Sequence, residues 1–205
     1  MATLQRMIRP ALLVGAALAL LGNSPEPRTY RLDESRSTVA ARVAFFGLAS
    51  KTAHFPRPSG RAELSDERPD AIGLVVEIDA RALTAPDPVT LARLRGPAFF
   101  DVEHHPRVRF AGSRMVMTSP VTATIAGDLT ARGVTRPATL QVTFAQPPAR
   151  IAPGEPVHLT AHATINRRDF GLVYPGMPDN LIRDEVTVRF DIRSPRGAAP
   201  PPGRP

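Results

Sequence analysis

A chain of 205 residues with 42% hydrophobic side chains is long enough to bury the core of one domain. Its 23 prolines, at about twice the usual frequency, argue against a helical bundle, and the absence of cysteine excludes a disulfide framework, a zinc finger and a thiol nucleophile. The net charge is +7, but 21 basic and 18 acidic residues remain once residues 1–28 and 194–205 are set aside, which argues against a dedicated nucleic-acid-binding surface.

Residues 1–28 have the pattern of an export signal. Arg6 and Arg9 precede an apolar run over residues 11–22, which is shorter than the ~20 residues that a spanning helix needs. The cleavage motif is poor, so the alternatives are a cleaved signal peptide and an uncleaved N-terminal anchor. We therefore expect a periplasmic protein, tethered to the membrane if the leader is retained.

The residues that follow show the period-two alternation of half-buried antiparallel strands. Seven runs are clear and an eighth, at residues 60–64, is weaker. Most prolines fall between the runs, as ladder hydrogen bonding requires. A short helix is predicted at residues 88–94, because Pro88 suits a first helical turn. The clear runs lie at residues 39–45, 74–78, 108–112, 123–129, 140–144, 157–165 and 186–192.

Eight antiparallel strands predict an all-β domain, either a closed barrel or a two-sheet sandwich. Small residues at inward positions favour the barrel, because a lumen lined partly by small side chains keeps room for one ligand. We therefore predict an eight-stranded antiparallel barrel over residues 29–193 and a disordered Pro-rich tail at residues 194–205. The small inward residues are Ala41, Gly112, Ala123, Gly127, Ala161 and Ala163.

Catalytic and metal-binding patterns are mostly missing from the sequence. It contains no G-x-S-x-G, no glycine-rich phosphate loop and no H-E-x-x-H. His104 and His105 are adjacent and point oppositely in extended chain, and His158 and His162 are ~13 Å apart on a strand. We therefore predict a protein that is not an enzyme, with no catalytic residues, no metal site and no cofactor.

Three ordered motifs resemble the YceI-like family. Residues 99–110 (FFDVEHHPRVRF) are similar to its FFD…YP-x-I-x-F element, and residues 126–137 (AGDLTARGVTRP) to its G-x-L-T-x-x-G-V-T-x-P turn. Residues 165–171 (INRRDFG) are similar to its I-x-R-x-D-F-G element. The resemblance covers about residues 30–192. It implies a lipocalin-like eight-stranded barrel, exported to the periplasm, which holds a polyisoprenoid or a similar long-chain amphiphile.

Each motif also has a structural interpretation. The glycines and Thr-x-Pro of residues 127–137 are typical of a tight hairpin. Arg167 and Asp169 are expected to pair at a strand end, with Phe170 filling the barrel floor. Phe99 and Phe100 suit core filling and ligand contact equally well.

We predict that the barrel binds a long-chain isoprenoid, a fatty acid or a related lipid for carriage, storage or stress protection. The alternative is an exported stress protein with a packed barrel and a protein partner. Contact with a membrane surface is an open possibility, and no nucleic acid is expected. The candidate ligand-binding residues are the inward apolar ones, namely Val39, Val43, Phe45, Phe99, Phe100, Phe110, Ile125, Leu140, Val142, Phe144, Leu159, Ala161, Ala163, Ile165, Phe170, Val188 and Phe190.

Overall fold

The computed structural model describes residues 28–45, 49–64, 68, 70–152, 155–172 and 182–193, of which 28, 43–45, 49 and 182–193 are described by their backbone alone. Residues 1–27 of the predicted leader and the predicted Pro-rich tail lie outside the described residues, whereas Arg28 begins β1. Almost all of the regular structure is β, as predicted. The strands are β1 (Arg28–Arg31), β2 (Thr38–Phe45), β3 (Ala49–Pro56), β4 (Ser59–Leu64), β5 (Ala71–Asp79), β6 (Arg107–Met117), β7 (Thr122–Ala131), β8 (Val134–Phe144), β9 (His158–Asn166) and β10 (Ile182–Arg193).

The strands form one antiparallel sheet in the order β1-β4-β5-β6-β7-β8-β9-β10-β2-β3. The prediction of eight strands in a closed barrel is therefore wrong: ten strands lie in an open order. The chain between β3 and β4 turns at Arg57, where φ is 51°, so that residues 49–64 pair first with β2 and then with β5. This segment brings the two sides of the sheet toward each other without a continuous ladder.

The two strands missing from the prediction are β1 and β3. Four residues are too few to show a period, which hides β1. In β3 the buried Ala53 and Phe55 alternate with exposed His54, but the charged Lys51 shares their parity and breaks the pattern. His54, which the sequence analysis assigned to no strand, therefore belongs to β3.

Pro137 lies inside β8, although prolines were expected only between strands. Its cross-strand partner is Asp128 of β7, in a continuous register that starts at the two-residue turn between Ala131 and Val134. The pair that closes the turn, Ala131 and Val134, is hydrogen-bonded, and hydrogen-bonded and non-hydrogen-bonded pairs then alternate along the ladder. The pair of Asp128 and Pro137 is therefore non-hydrogen-bonded, and an N–H at residue 137 would point toward β9. The pairing of β9 with β8 begins only at Gln141, so the missing N–H costs no ladder bond.

The predicted helix is confirmed as α1 (Pro88–Arg95). Asp87 caps it, because its Oδ1 accepts a hydrogen bond of 2.8 Å from the Thr90 N–H, and Pro88 occupies the first turn. Leu91 and Leu94 pack against the core, whereas Val89 is 69% exposed. Among the described residues, no helix is long and apolar enough to cross a membrane.

The core lies on the inner face of the curved sheet and is almost wholly apolar. In the described part of the chain, only Ser37 and Arg167 have polar or charged side chains that are buried. The segment between β5 and β6 adds the fully buried Leu83 and the buried Phe99 to this core. The structure therefore encloses apolar side chains between the sheet and that segment.

Candidate functional site

The candidate ligand-binding residues fall into three groups by burial, and their role stays a prediction. Ten are buried: Val39, Phe99, Phe110, Ile125, Leu140, Val142, Phe144, Ala161, Ala163 and Phe170. Phe100, Leu159 and Ile165 are partly buried against the same core. The side chains of Val43, Phe45, Val188 and Phe190 lie outside the described ones.

Cross-strand register brings many of these residues together. One row runs across six neighbouring strands and joins buried positions in β3, β2, β9, β8 and β7 through residue 190 of β10. Directly opposite residues in a sheet share a face, so this row forms one continuous strip. Its members are Phe55, Val39, Phe190, Ala161, Val142 and Ala123.

The small inward residues divide into two sets that behave differently. Gly112 of β6 and Gly127 of β7 are paired, and the space over Gly112 is already filled, because an added Cβ would lie 2.7 Å from Cγ2 of Ile125. At the β6–β7 pair the small inward residues therefore leave no room for a ligand.

The second set consists of alanines on the same inner face in β2, β3 and β9, away from the β6–β7 pair. Ala53 of β3 pairs with Ala41 of β2, which pairs with Val188 of β10, and Val188 pairs with Ala163 of β9. Ala53 and Ala163 are buried and Ala41 is partly buried. These alanines, together with Ala161, form the alanine-lined part of the inner face, in β2, β3 and β9.

The segment around Phe99 and Phe100 is held by its own backbone and reaches β3. The N–H groups of Phe99 and Asp101 both donate to the Gly96 carbonyl at 3.0 Å, directly after α1. The Phe100 ring meets the Phe55 ring edge-on, with centroids 5.4 Å apart. Phe55 is a further candidate residue that the sequence analysis did not identify.

Arg132 joins the second family-like motif to the third and to the chain just before the first. It occupies the β7–β8 turn with Gly133, both at positive φ, and its guanidinium donates to the carbonyls of Pro97, at 2.6 Å, and of Gly171. Gly171 has φ 67°, and a Cβ there would lie 2.9 Å from Arg132 Nη1. The predicted hairpin is confirmed, and Arg132 is the clasp that connects it to Pro97 and Gly171.

Replacing Arg132 by alanine is expected to lower the free energy of unfolding by about 1–3 kcal/mol, because two carbonyls lose a charged donor. Arg136→Ala is the matched control in the same hairpin, since the Arg136 guanidinium donates to the carbonyl of its own neighbour, Thr135. Urea denaturation of both variants measures the difference. Equal stabilities of the two variants would show that the clasp contributes nothing.

The Arg167 side chain is buried and bonds to the backbone of its own loop, and its pairing with Asp169 stays a prediction. Its side chain is 2% exposed, and Nη1 donates a 2.7 Å hydrogen bond to the Leu172 carbonyl, whereas Asp169 is exposed. Phe170 is buried beside it, as expected. The residues form a 3₁₀ turn (Arg167–Phe170) rather than a strand end, so the guanidinium reaches back to its own loop.

Asp101 and His104 form an ion pair on the loop after α1. His104 Nδ1 lies 2.9 Å from Asp101 Oδ1, and this hydrogen bond raises the pKa of the His104 imidazole and lowers the pKa of the Asp101 carboxyl. Asp101 has φ 47°, and its carbonyl accepts from the N–H groups of His104 and His105. Within the described ranges, no group of three or more potential ligands is placed to hold a metal ion.

This pair predicts a pH dependence of stability. The raised pKa of His104 gives stabilisation that is present below the usual histidine pKa near 6.5 and lost as the pH rises; the lowered pKa of Asp101 gives stabilisation present above its usual 3.8 and lost in acid. The difference in Tm between the parent and His104→Gln should therefore be larger at pH 5.5 than at pH 8.5. An equal difference at both pH values would contradict the pairing.

Comparison with known proteins gives the same family as the motifs. The model of the YceI-like domain matches residues 30–194. A UPF0312 protein of Pseudomonas putida strain GB-1 is 26% identical over 180 residues, which cover 87% of this chain and 93% of that protein. A UPF0312 protein of Pseudomonas syringae pv. syringae is 26% identical over 183 residues, with 88% and 94% covered.

Solved structures share the fold at lower identity. BcnA of Burkholderia cenocepacia superposes with a TM-score of 0.68 at 20% identity, covering 79% of this chain and 98% of that protein. A polyisoprenoid-binding domain from Saccharophagus degradans, implicated in plant cell wall breakdown, gives a TM-score of 0.61 at 14% identity, with 82% and 98% covered. A YceI protein of Campylobacter jejuni gives 0.58 at 17% identity, with 69% and 82% covered.

Proposed function

The chain belongs to the YceI-like family, and on this premise we propose that it binds a long-chain isoprenoid or a related lipid against the inner face of the sheet. The observation that carries the proposal is the asymmetric inner face. Bulky apolar side chains fill the β6–β7 side, whereas Ala41, Ala53, Ala161 and Ala163 line the opposite side. A polyisoprenoid-binding domain among the structural neighbours supports this class of ligand.

The chemistry of the inner face suits a chain and not a polar metabolite. In the described part of the core the buried side chains are apolar except for Ser37 and Arg167, so a ligand there meets few hydrogen-bonding groups. Affinity would then come from buried methylene groups, at about 0.8 kcal/mol each. This role needs no catalytic residue, and we propose a binding protein that is not an enzyme.

Mass spectrometry of organic extracts from the purified protein tests the proposal. We expect an isoprenoid or another long-chain lipid in extracts of the parent, and none in extracts of an Ala163→Phe variant purified in parallel. Because Ala163 is 5% exposed on the inner face, the variant fills the space that the lipid needs. Repeatedly empty extracts from the parent would overturn the proposal.

One observation favours a second candidate, an interaction protein with a packed interior. The tight contacts over Gly112, where a Cβ would also lie 3.2 Å from Leu74 and Phe110, show that part of the inner face is packed without any ligand. If the whole interior is packed in this way, the extracts are empty and a protein partner co-purifies in a fixed ratio. The same purification therefore distinguishes the two candidates.

Export is the third part of the proposal. Arg6 and Arg9 followed by the apolar run at residues 11–22 support a leader that directs the chain to the periplasm. N-terminal sequencing of protein from the periplasmic fraction distinguishes a cleaved leader from a retained anchor, which begins at Met1. Recovery from the cytosol alone would contradict export.

A further inference from the structure

The outer edge of β3 contacts the segment between β5 and β6, which contains α1, and does not pair with another strand there. We call residues 80–106, between β5 and β6, the strap. Along its other edge β3 pairs with β2 over eight consecutive residue pairs, from Thr38↔Pro56 to Phe45↔Ala49. On the strap side a single bridge is formed, in which the N–H of His54 donates to the Thr84 carbonyl and the N–H of Thr84 to the His54 carbonyl, both at 2.9 Å.

Two side-chain contacts flank this bridge. Lys51 Nζ lies 2.8 Å from Asp87 Oδ2, with the two side chains 48% and 38% exposed, so that water screens the pair. The Phe55 and Phe100 rings meet edge-on on the inner side. The seam between β3 and the strap is thus held by two backbone hydrogen bonds, one exposed ion pair and one ring contact.

The strap is tied to itself and to the rest of the domain more firmly than to β3. Arg95 Nη2 donates to the carbonyls of Arg81, at 2.8 Å, and Leu83, at 3.3 Å, which joins its first turn to the end of α1. Beyond α1 the Arg132 guanidinium holds the Pro97 carbonyl. These contacts of the strap with itself and with Arg132 do not involve β3, so they can persist when the contacts between β3 and the strap break.

Apolar surface lies directly behind the seam. Ala53 and Phe55 flank His54 in β3 and are 5% and 3% exposed, and Leu83 precedes Thr84 in the strap and is fully buried. Ala53 belongs to the alanine-lined part of the inner face. A lipid chain that passed between His54 and Thr84 would directly contact these buried apolar residues.

We propose that the seam between β3 and the strap is the lateral portal through which a lipid chain enters and leaves the interior. This inference rests on the proposed function and assigns the route to that same site. Opening the seam breaks two backbone hydrogen bonds, a screened ion pair and one ring contact, whereas separating β3 from β2 breaks a ladder of eight residue pairs. Of the two edges of β3, the seam is therefore the easier one to open.

A disulfide across the bridge tests the portal. His54 and Thr84 exchange both backbone hydrogen bonds, and such a pair has its Cα atoms ~5.5 Å apart, within the range that a disulfide spans. The chain contains no cysteine, so His54→Cys with Thr84→Cys creates one defined bond. The measurement is the stopped-flow rate of uptake and release of a fluorescently labelled prenol, before and after reduction.

We expect the oxidised variant to take up and release the probe at least ten-fold more slowly than its reduced form. Its equilibrium Kd should change less than two-fold, because both rates fall together. The matched control is Thr130→Cys with Thr135→Cys, an opposed pair in the β7–β8 ladder whose hydroxyl oxygens are 2.8 Å apart. Oxidation of the control should leave both rates unchanged.

Equal rates for the oxidised and reduced seam variant, with the disulfide verified by mass, would overturn the portal while leaving lipid binding intact. Failure of the parent to bind the probe at any concentration would overturn the proposed function, and the portal with it. If the double-cysteine variant does not fold, Lys51→Met serves instead, with two- to five-fold faster release expected. Arg61→Met is its control, because it removes an exposed ion pair with Glu63 away from the seam, and equal release from both would count against the portal.

Discussion

Gly127→Ala is expected to destabilise the domain by about 3 kcal/mol, at the upper end of the range for overpacked interiors. A Cβ at residue 127 would lie 2.2 Å from the Ala111 carbonyl oxygen and 2.6 Å from Gly112 Cα. Both atoms belong to the backbone of β6, so no side-chain rotation relieves the contact. The strands would have to separate at the Gly112–Gly127 pair. Thermal and urea unfolding measure the loss.

Gly73→Ala in β5 is the control for this prediction. Its Cβ would lie 3.5 Å from Cβ of Glu63, an ordinary van der Waals distance. Because glycine in a strand is less stable than alanine by roughly 0.5–1 kcal/mol, we expect this variant to be neutral or slightly more stable than the parent. If Gly127→Ala is as stable as Gly73→Ala, the close approach of β6 and β7 does not exist in solution.

The alternation of apolar and polar residues predicted most of the sheet. Successive side chains of a strand point to opposite faces, so a strand with one buried face alternates with period two. The runs from residue 74 to residue 192 correspond to β5 through β10. The pattern failed at β3, where Lys51 shares the parity of the buried Ala53 and Phe55 but pairs with Asp87 of the strap. A tertiary ion pair of this kind leaves no periodic signal in the sequence.

The open order of the strands could not be predicted from the sequence, because it depends on a local turn and not on periodicity. At Arg57 a non-glycine residue adopts positive φ, and the chain changes partner from β2 to β5. Few sequence patterns indicate such a conformation. The change of pairing partner between β3 and β4 follows from this turn.

The candidate site was predictable in composition but not in arrangement. Inward parity identified buried residues such as Phe110, Leu140 and Val142. It could not separate Gly112, whose space is filled by Ile125, from Ala163 on the alanine-lined side, because both are simply small. The role of Arg132 was also hidden, since its two carbonyl partners lie 35 and 39 residues away in sequence.

The largest expected effect on binding comes from filling the alanine-lined part of the inner face. Each buried methylene contributes about 0.8 kcal/mol, so ten buried chain carbons give roughly 8 kcal/mol before the costs of association. The phenyl ring of Ala163→Phe would displace about six of these carbons, a loss of about 5 kcal/mol and more than 10³-fold in Kd. Isothermal titration with a prenol measures it, once circular dichroism has established that the variant is folded.

Two further variants separate chain burial from charge. Ala161→Leu, at a position that is 2% exposed, displaces about three carbons and should weaken binding by roughly 50-fold, with less risk to folding. Arg168→Ala removes an exposed charge, worth only ~0–1 kcal/mol, and should change the affinity little while lowering any preference for acidic head groups. If folded Ala163→Phe and Ala161→Leu bind the prenol as tightly as the parent, the ligand does not lie on the inner face of the sheet.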